Sequence, residues 1–172
     1  HLRAENAYKD AVLAPTAALC EALYQEIVGR IKQDDSSVPA RKNGWWYYAR
    51  YETGKEYPIH ARRPDTESGW SATAPEQVLL DGNRMAAGQS FFRIGATAIS
   101  DDGRLLAWTE DTVGRRQYVL RVRDLESGTV FPDAVVNVEP EFAWAADNRT
   151  LLYTAKDPVT LLSERVLRHQ AG

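Results

Sequence analysis

Residues Ile99–Thr109, ISDDGRLLAWT, return 45 positions further on as Trp144–Thr154, WAADNRTLLYT. Both copies run from an apolar strand end into an Asp-Gly or Asp-Asn turn, then an Arg, then a hydrophobic strand closing on an aromatic residue and a Thr. A weaker third copy lies upstream, where Asn43-Gly44 is followed by Trp45, Trp46, Tyr47 and Tyr48. A hairpin repeated every 40 to 50 residues or so is the signature of a β-propeller, with one hairpin-bearing blade per repeat. Gly103 and Asn148 keep the 45-residue phase, whereas Gly44 and Gly103 stand 59 apart. The surplus matches a Pro-, Asp-, Ser- and Gly-rich excursion around Arg63–Ala74.

Strand and turn signals fill in the blades. Ser37–Lys42, the Asn43-Gly44 turn and Trp45–Tyr51 read as a hairpin, since Asn-Gly supplies the positive φ angles of a type I′ turn. Tyr57–Arg62 and Gln77–Leu80 complete a first blade over 36–82. The second, over 92–135, has strands at Ile94–Ser100, Leu105–Glu110 and Tyr118–Leu125, with a short fourth at Thr129–Phe131 after Glu126-Ser127-Gly128. The third, over 141–172, offers Phe142–Ala145, Leu151–Ala155 and Arg165–His169. It lacks a fourth strand.

Residues 1–33 follow a different period. Ala4, Ala7, Tyr8, Ala11 and Val12 recur at helical spacing until Pro15, after which Thr16 can cap a second helix. There Leu19, Cys20, Leu23, Tyr24, Ile27, Val28 and Ile31 form a broad apolar side opposite Glu21, Gln25, Glu26 and Arg30. The fold class that results is mainly β. Two N-terminal α-helices (1–33) precede a partial β-propeller (34–172) of about three four-stranded antiparallel blades, the last incomplete. Because propellers close with roughly four to eight blades, the chain reads as a piece of a longer protein whose open faces need missing blades or a second copy to cover them. The isolated chain is therefore expected to self-associate.

Composition narrows the partners. The 172 residues, 44% hydrophobic and 26% charged, form a soluble balance, and a net charge of -3 favours neither nucleic acid nor an anionic membrane. A single cysteine, Cys20, permits no internal disulfide and fits a reducing, cytoplasmic compartment. No stretch is expected to approach the length of a membrane span.

Candidate chemistry is sparse. Cys20 reads as a small buried core residue with no activating His nearby. His60 and His169 read as half-buried strand residues, and His1 lies at the terminus. Trp45–Tyr48 alternate faces and are expected to pack between blades, not to form a binding platform. Arg115-Arg116, Arg121 and Arg123 look like an anion patch, but Asp111, Asp124 and Glu126 would neutralise it, so solvated strand edges and cross-strand ion pairs are expected instead. Asp34-Asp35, Asp101-Asp102 and Asp147 sit at turns, where Asp caps its own backbone, and lack calcium-loop spacing. Arg62-Arg63 and Arg115-Arg116 read as accessible sites for trypsin-like cleavage. No catalytic, cofactor-binding or metal residue is assigned, and no cofactor is expected.

Six segments together resemble a known family: AENAY (4–8), RIKQDDSSVP (30–39), NGWWYYARYE (43–52), GKEYP (54–58), DTVGRRQY (111–118) and WAADNRTLLYTAKDP (144–158). In this order they are similar to the oligopeptidase B group of the prolyl oligopeptidase family of serine peptidases, across essentially the whole chain. The resemblance implies N-terminal helices leading into a seven-bladed propeller that caps an α/β-hydrolase domain. It also implies hydrolysis of short peptides after Arg or Lys, with the propeller gating access by size. The family's chemistry needs a G-x-S-x-G elbow with Asp and His partners. Glu67-Ser68-Gly69-Trp70-Ser71 and Gly88-Gln89-Ser90-Phe91-Phe92 both lack the glycine after the serine. The chain alone is thus expected to be inactive, its partners being the missing blades, the hydrolase domain and short peptides. The alternative is a non-catalytic propeller-type interaction module.

Overall fold

A computed structural model describes all residues from His1 to Gly172. They divide into a helical unit, His1–Asp35, and a β unit, Ser36–Gly172.

In the helical unit, α1 (Leu2–Leu13) and α2 (Ala17–Gly29) are joined by a 3₁₀ turn, Ala14–Thr16, with Pro15 in its first turn. Proline is tolerated there because the N–H it lacks has no intrahelical partner. Thr16 holds the N-cap position, but its hydroxyl donates back to the Leu13 carbonyl at 2.7 Å and does not cap α2. On the polar face Gln25 donates to Glu21 and Arg30 pairs with Glu26, each four residues apart as helix geometry favours. No helical residue is buried. Cys20 is accordingly exposed, which corrects the buried-core expectation: two helices in line provide no second layer for their apolar side chains. The expectation about membrane spans is also corrected, since Leu2–Gly29 is long and apolar enough to cross a membrane by length and composition alone. Glu21 and Glu26 within that run make insertion costly.

The β unit contains two antiparallel sheets. The first has the order β1 (Ala40–Lys42), β2 (Trp45–Arg50), β3 (Ile59–Pro64), β4 (Gln77–Asp81). Asn43 and Gly44, with φ of 48° and 78°, form the β1–β2 turn that their sequence predicts. A four-residue helix, α3 (Gly82–Met85), follows β4 and is capped by the Asp81 carboxylate, which accepts from the amides of Asn83 and Arg84.

The second sheet runs β5 (Arg93–Ile99), β6 (Leu105–Asp111), β7 (Tyr118–Asp124), β8 (Val135–Trp144), β9 (Thr150–Lys156), β10 (Ser163–Gln170), each strand pairing with its neighbours in sequence. The sequence reading separates blades at 135 and 141, whereas the structure has no break there. The first part of β8 pairs with β7, Val135 opposite Leu120 and Val138 opposite Tyr118. After a register shift between Val138 and Phe142, its second part pairs with β9, Phe142 opposite Tyr153 and Trp144 opposite Leu151. One strand thus closes one blade and opens the next. The expected fourth strand at Thr129–Phe131 is reduced to a single bridge, Val130 to Arg123.

Pro140 lies within the shift, where a residue without an N–H costs no ladder bond. A facing irregularity in β5, between Ile94 and Thr97, brings Gly95 against the same point. The fully buried Thr109 hydroxyl ties the two together: it donates to the Pro140 carbonyl and accepts from the Ala96 amide, both at 2.9 Å.

Two cores follow from this arrangement. Ala107, Tyr118, Leu120, Val122, Val138 and Leu151 pack within the six-stranded sheet's own curvature. Leu79 and Leu80 of β4 meet Leu106 and Trp108 of β6 and Leu125 after β7, which presses the two sheets face to face.

A Cβ at Gly95 would lie 2.4 Å from the Thr109 hydroxyl and 2.9 Å from both Pro140 and Tyr118. Gly95→Ala is expected to lower stability by about 1–3 kcal/mol, the usual cost of overpacking a filled site. Urea unfolding of variant and parent measures the difference.

Candidate functional site

The repeated hairpin turns are superimposable in their bonding. In the second repeat the Ser100 amide donates to Leu105 O, Gly103 N to Ser100 O, and Arg104 N to the Asp102 carboxylate. In the third, Ala145 N donates to Thr150 O, Asn148 N to Ala145 O, and Arg149 N to the Asp147 carboxylate. Gly103 and Asn148 both adopt positive φ. The turns are also chained side to side. The Asn43 carboxamide donates to Asp101 O at 2.8 Å, and the Asn148 carboxamide accepts from Asp102 N at 3.1 Å. Asp102 and Asp147 cap their own turns as expected. Asp101 does not; it pairs with Lys42 at 3.2 Å.

Below the first of these turns the sheets are locked by Arg62. It is 4% exposed, its guanidinium lies 3.8 Å over the Trp45 ring, and it donates to Gly103 O at 2.8 Å, Gln77 Oε1 at 2.7 Å and the Tyr47 hydroxyl. Gln77 in turn donates to Leu125 O, and Arg123 donates to Leu79 O while stacking on Trp108. Arg62 was expected to be cleavable; in mid-strand and buried it is closed to a protease.

The aromatic run alternates as read, with a difference on one side. Trp45 and Tyr47 face the second sheet. Trp46 and Tyr48 face away and are covered by the excursion loop: Trp70 meets both edge-on, at 6.1 and 5.2 Å between centroids. Glu76 anchors that loop by accepting from Arg50 twice and from the Tyr48 hydroxyl, while Arg63 donates to Ala74 O and to Tyr48. The Arg50 hydrogen bonds hold the Glu76 carboxyl below the ordinary carboxylate range. Burial, then the hydrogen bond to Glu76, pushes the Tyr48 phenol up.

The arginines form no anion patch, and Arg121 and Arg123 are taken up one by one. Arg121 pairs with Glu110 at 2.5 Å, and Asp124 and Glu126 pair with Arg104. Asp111 is buried and caps its own loop through the amides of Val113, Gly114 and Arg116, so it is not free to neutralise Arg115 or Arg116. Sequence proximity failed here because an Asp at a hairpin loop is used by the nearest amides first.

The histidines lie apart. His169 on β10 meets the Asp133 carboxylate at 2.7 Å, with no serine hydroxyl among its partners. His60 on β3 makes no hydrogen bond and lines a cleft of about 430 Å³ between the sheets; burial lowers its pKa. No signal in the sequence marked this cleft. Such an arrangement can wall, orient and exclude; it assembles no nucleophile with a base.

The whole chain, residues 1–172, matches the family model described as prolyl oligopeptidase, N-terminal beta-propeller domain. It is 51% identical to dipeptidyl aminopeptidase BI of Pseudoxanthomonas mexicana, covering 100% of this chain and 25% of that protein. Protease 2 of Moraxella lacunata is 28% identical over 91% of this chain and 23% of its own length. Among solved structures, oligopeptidase B from Leishmania major superposes with a TM-score of 0.88 at 30% identity, covering 100% of this chain and 24% of that one. Oligopeptidase B from Trypanosoma brucei gives 0.84 at 27% identity, over 99% of this chain and 23% of that one. The chain spans about a quarter of the length of these relatives.

Two outcomes test the locked seam and the capped turns. Arg62→Met should cost about 2–3 kcal/mol in urea unfolding, since a buried charged donor is lost and its acceptors are left unpaired, and Arg62→Lys should not restore it because an ammonium cannot reproduce the planar fork. Asp147, whose carboxyl is pulled from 3.8 to about 2 by the Thr150 hydroxyl and the Arg149 and Thr150 amides, stabilises the folded state above its unfolded pKa. That contribution fades as pH falls through about 2. The urea midpoint of Asp147→Asn should therefore depend less on pH than the parent's between pH ~4 and ~2.

Proposed function

The chain belongs to the prolyl oligopeptidase family, within its N-terminal β-propeller domain, and from this premise we propose that the whole protein is a serine oligopeptidase whose propeller admits only short peptides. The observation that carries the reading is the match over all 172 residues, reinforced by superposition on two oligopeptidases B. In the proposed division of labour, a catalytic domain outside this chain supplies Ser-His-Asp acyl transfer. This chain supplies wall. Blades fastened by buried cation–carbonyl bonds and a continuous six-stranded sheet make a rigid rim, and a rim of that kind excludes folded proteins while an extended peptide passes.

Cleavage after Arg or Lys is the specificity proposed, as the resemblance to the oligopeptidase B group implies. The name of the 51%-identical relative, dipeptidyl aminopeptidase BI, raises removal of N-terminal dipeptides as a second specificity for the same nucleophile. A cytoplasmic setting belongs to the same proposal and is supported by the single cysteine.

The test compares one scissile Arg site in three contexts: an octapeptide with a blocked N-terminus, a tetrapeptide with Arg second and a free N-terminus, and an exposed loop of a folded protein. Turnover of either peptide and none of the folded protein is expected, and the preferred peptide assigns endo or dipeptidyl cleavage. Equal turnover of the folded protein, or none of any, overturns the reading. The 172-residue chain alone should give only background turnover of an Arg-containing chromogenic substrate. It should also self-associate in size-exclusion with light scattering, through apolar side chains such as Val166 and Leu167 left exposed on β10.

A further inference from the structure

The cleft between the two sheets has no acidic group in its lining. Its floor is aliphatic, from Leu79 and Leu80 of β4, Ile99 of β5 and Leu106 of β6, and Tyr47, Tyr48 and Thr97 complete the lining. Two nitrogen groups interrupt it, the His60 imidazole and, at the rim, the Lys42 ammonium. Leu80 and Leu106 are each 1% exposed, so the apolar surface behind the opening is fixed by the core that joins the sheets and is not a mobile surface depression.

The Tyr47 hydroxyl accepts from Arg62 and the Tyr48 hydroxyl donates to Glu76, whereas the two nitrogen groups are uncommitted or weakly held. His60 has no hydrogen-bond or ion-pair partner, although burial keeps it neutral near pH 7 with one N–H to give. Lys42 is half exposed and bound only to Asp101, itself 70% exposed, at 3.2 Å. A surface pair of this kind is worth under about 1 kcal/mol and exchanges readily for another carboxylate. A cavity of about 430 Å³ with apolar walls and a few convergent polar groups has the size and character of a ligand site.

We propose that this cleft binds a carboxylate carried on an apolar or aromatic body, the body against Tyr47, Ala98 and Ile99 over the floor of Leu79, Leu80 and Leu106, the carboxylate accepting from the His60 N–H and facing Lys42. Charge complementarity sets the class: two nitrogen donors and no acid select an anion over a cation. The same chemistry is offered by a free arylalkanoate and by the C-terminal residue of a short peptide ending in an apolar side chain. The proposal stands independently of the catalytic reading.

The experiment titrates 3-phenylpropionate, the peptide Ala-Ala-Phe and its C-terminal amide into the full-length protein labelled with ¹⁵N-histidine, and follows the His60 ring resonances. A saturable shift is expected from the free acid with Kd on the order of a millimolar, as befits so small a ligand. Binding of Ala-Ala-Phe as well identifies a peptide C-terminus as a source; binding of phenylpropionate alone identifies a free acid. In both cases Lys42→Gln should weaken binding roughly two- to fivefold, and Ala98→Leu, which narrows the cleft from β5, should abolish the shift while near-UV circular dichroism is retained. No saturable His60 shift with either acid overturns the proposal, as does an amide that binds as tightly as the acid. Should Ala98→Leu fail to fold, Lys42→Gln decides, because its side chain is on the surface: unchanged affinity for both acids counts against the site.

Discussion

Burying a guanidinium between two sheets is costly unless every face of it is used, and Arg62 shows how the cost is offset. Its edge is spent on Gly103 O, Gln77 and the Tyr47 hydroxyl, and its flat face on Trp45. No carboxylate takes part. A carbonyl acceptor has a fixed place in the turn that an acidic side chain would lack, so the guanidinium measures the distance from β3 of the first sheet to the β5–β6 turn of the second. The Gln77–Leu125 bond and the aliphatic contacts of Leu79, Leu80, Leu106 and Trp108 then have one relative position of the sheets in which they can form. The cleft beside His60 is a product of the same spacing.

Within the second sheet the constraint is covalent. β8 serves two blades in turn, and its shift of register at Pro140 is matched by the shift in β5, with Thr109 bonded to both. Extra residues and missing amides that would weaken a flat ladder here change the strand's direction, as bulges do. Gly95 is the position where that change leaves no room for a side chain.

Local patterns were legible and long-range ones were not. The Asp-Gly and Asp-Asn turns, their 45-residue phase and strands β2 to β7 follow from alternation and turn chemistry, which act over a few residues. The join at β8 was not legible, because only Phe142–Ala145 reads as a strand and Pro140 stands before it as a break, and only pairing with both β7 and β9 makes Val135–Trp144 one strand. Cys20 was misplaced because an apolar helix side shows a need for cover without showing that cover is present. His60 read as an ordinary strand residue, and its role as a cleft wall arises from β5 and β6, some forty residues away. The excursion at Arg63–Ala74 read as a loop; that Trp70 folds back over Trp46 and Tyr48 depends on Glu76 meeting Arg50, a pairing with no sequence signature.

The two kinds of join differ in compliance. Parting β7 from β8, or β8 from β9, would break main-chain ladder bonds and a dry core at once. Parting the first sheet from the second would break side-chain bonds from Arg62, Gln77, Arg123 and Asn43 and open the core of Leu79, Leu80, Leu106 and Trp108, but would leave both ladders whole. Thermal breathing in the β unit should therefore concentrate along that single seam, with amides of β6 to β9 exchanging with solvent only when the sheet itself gives way. The first sheet is held against the second by side chains alone, and the cleft lies along that seam.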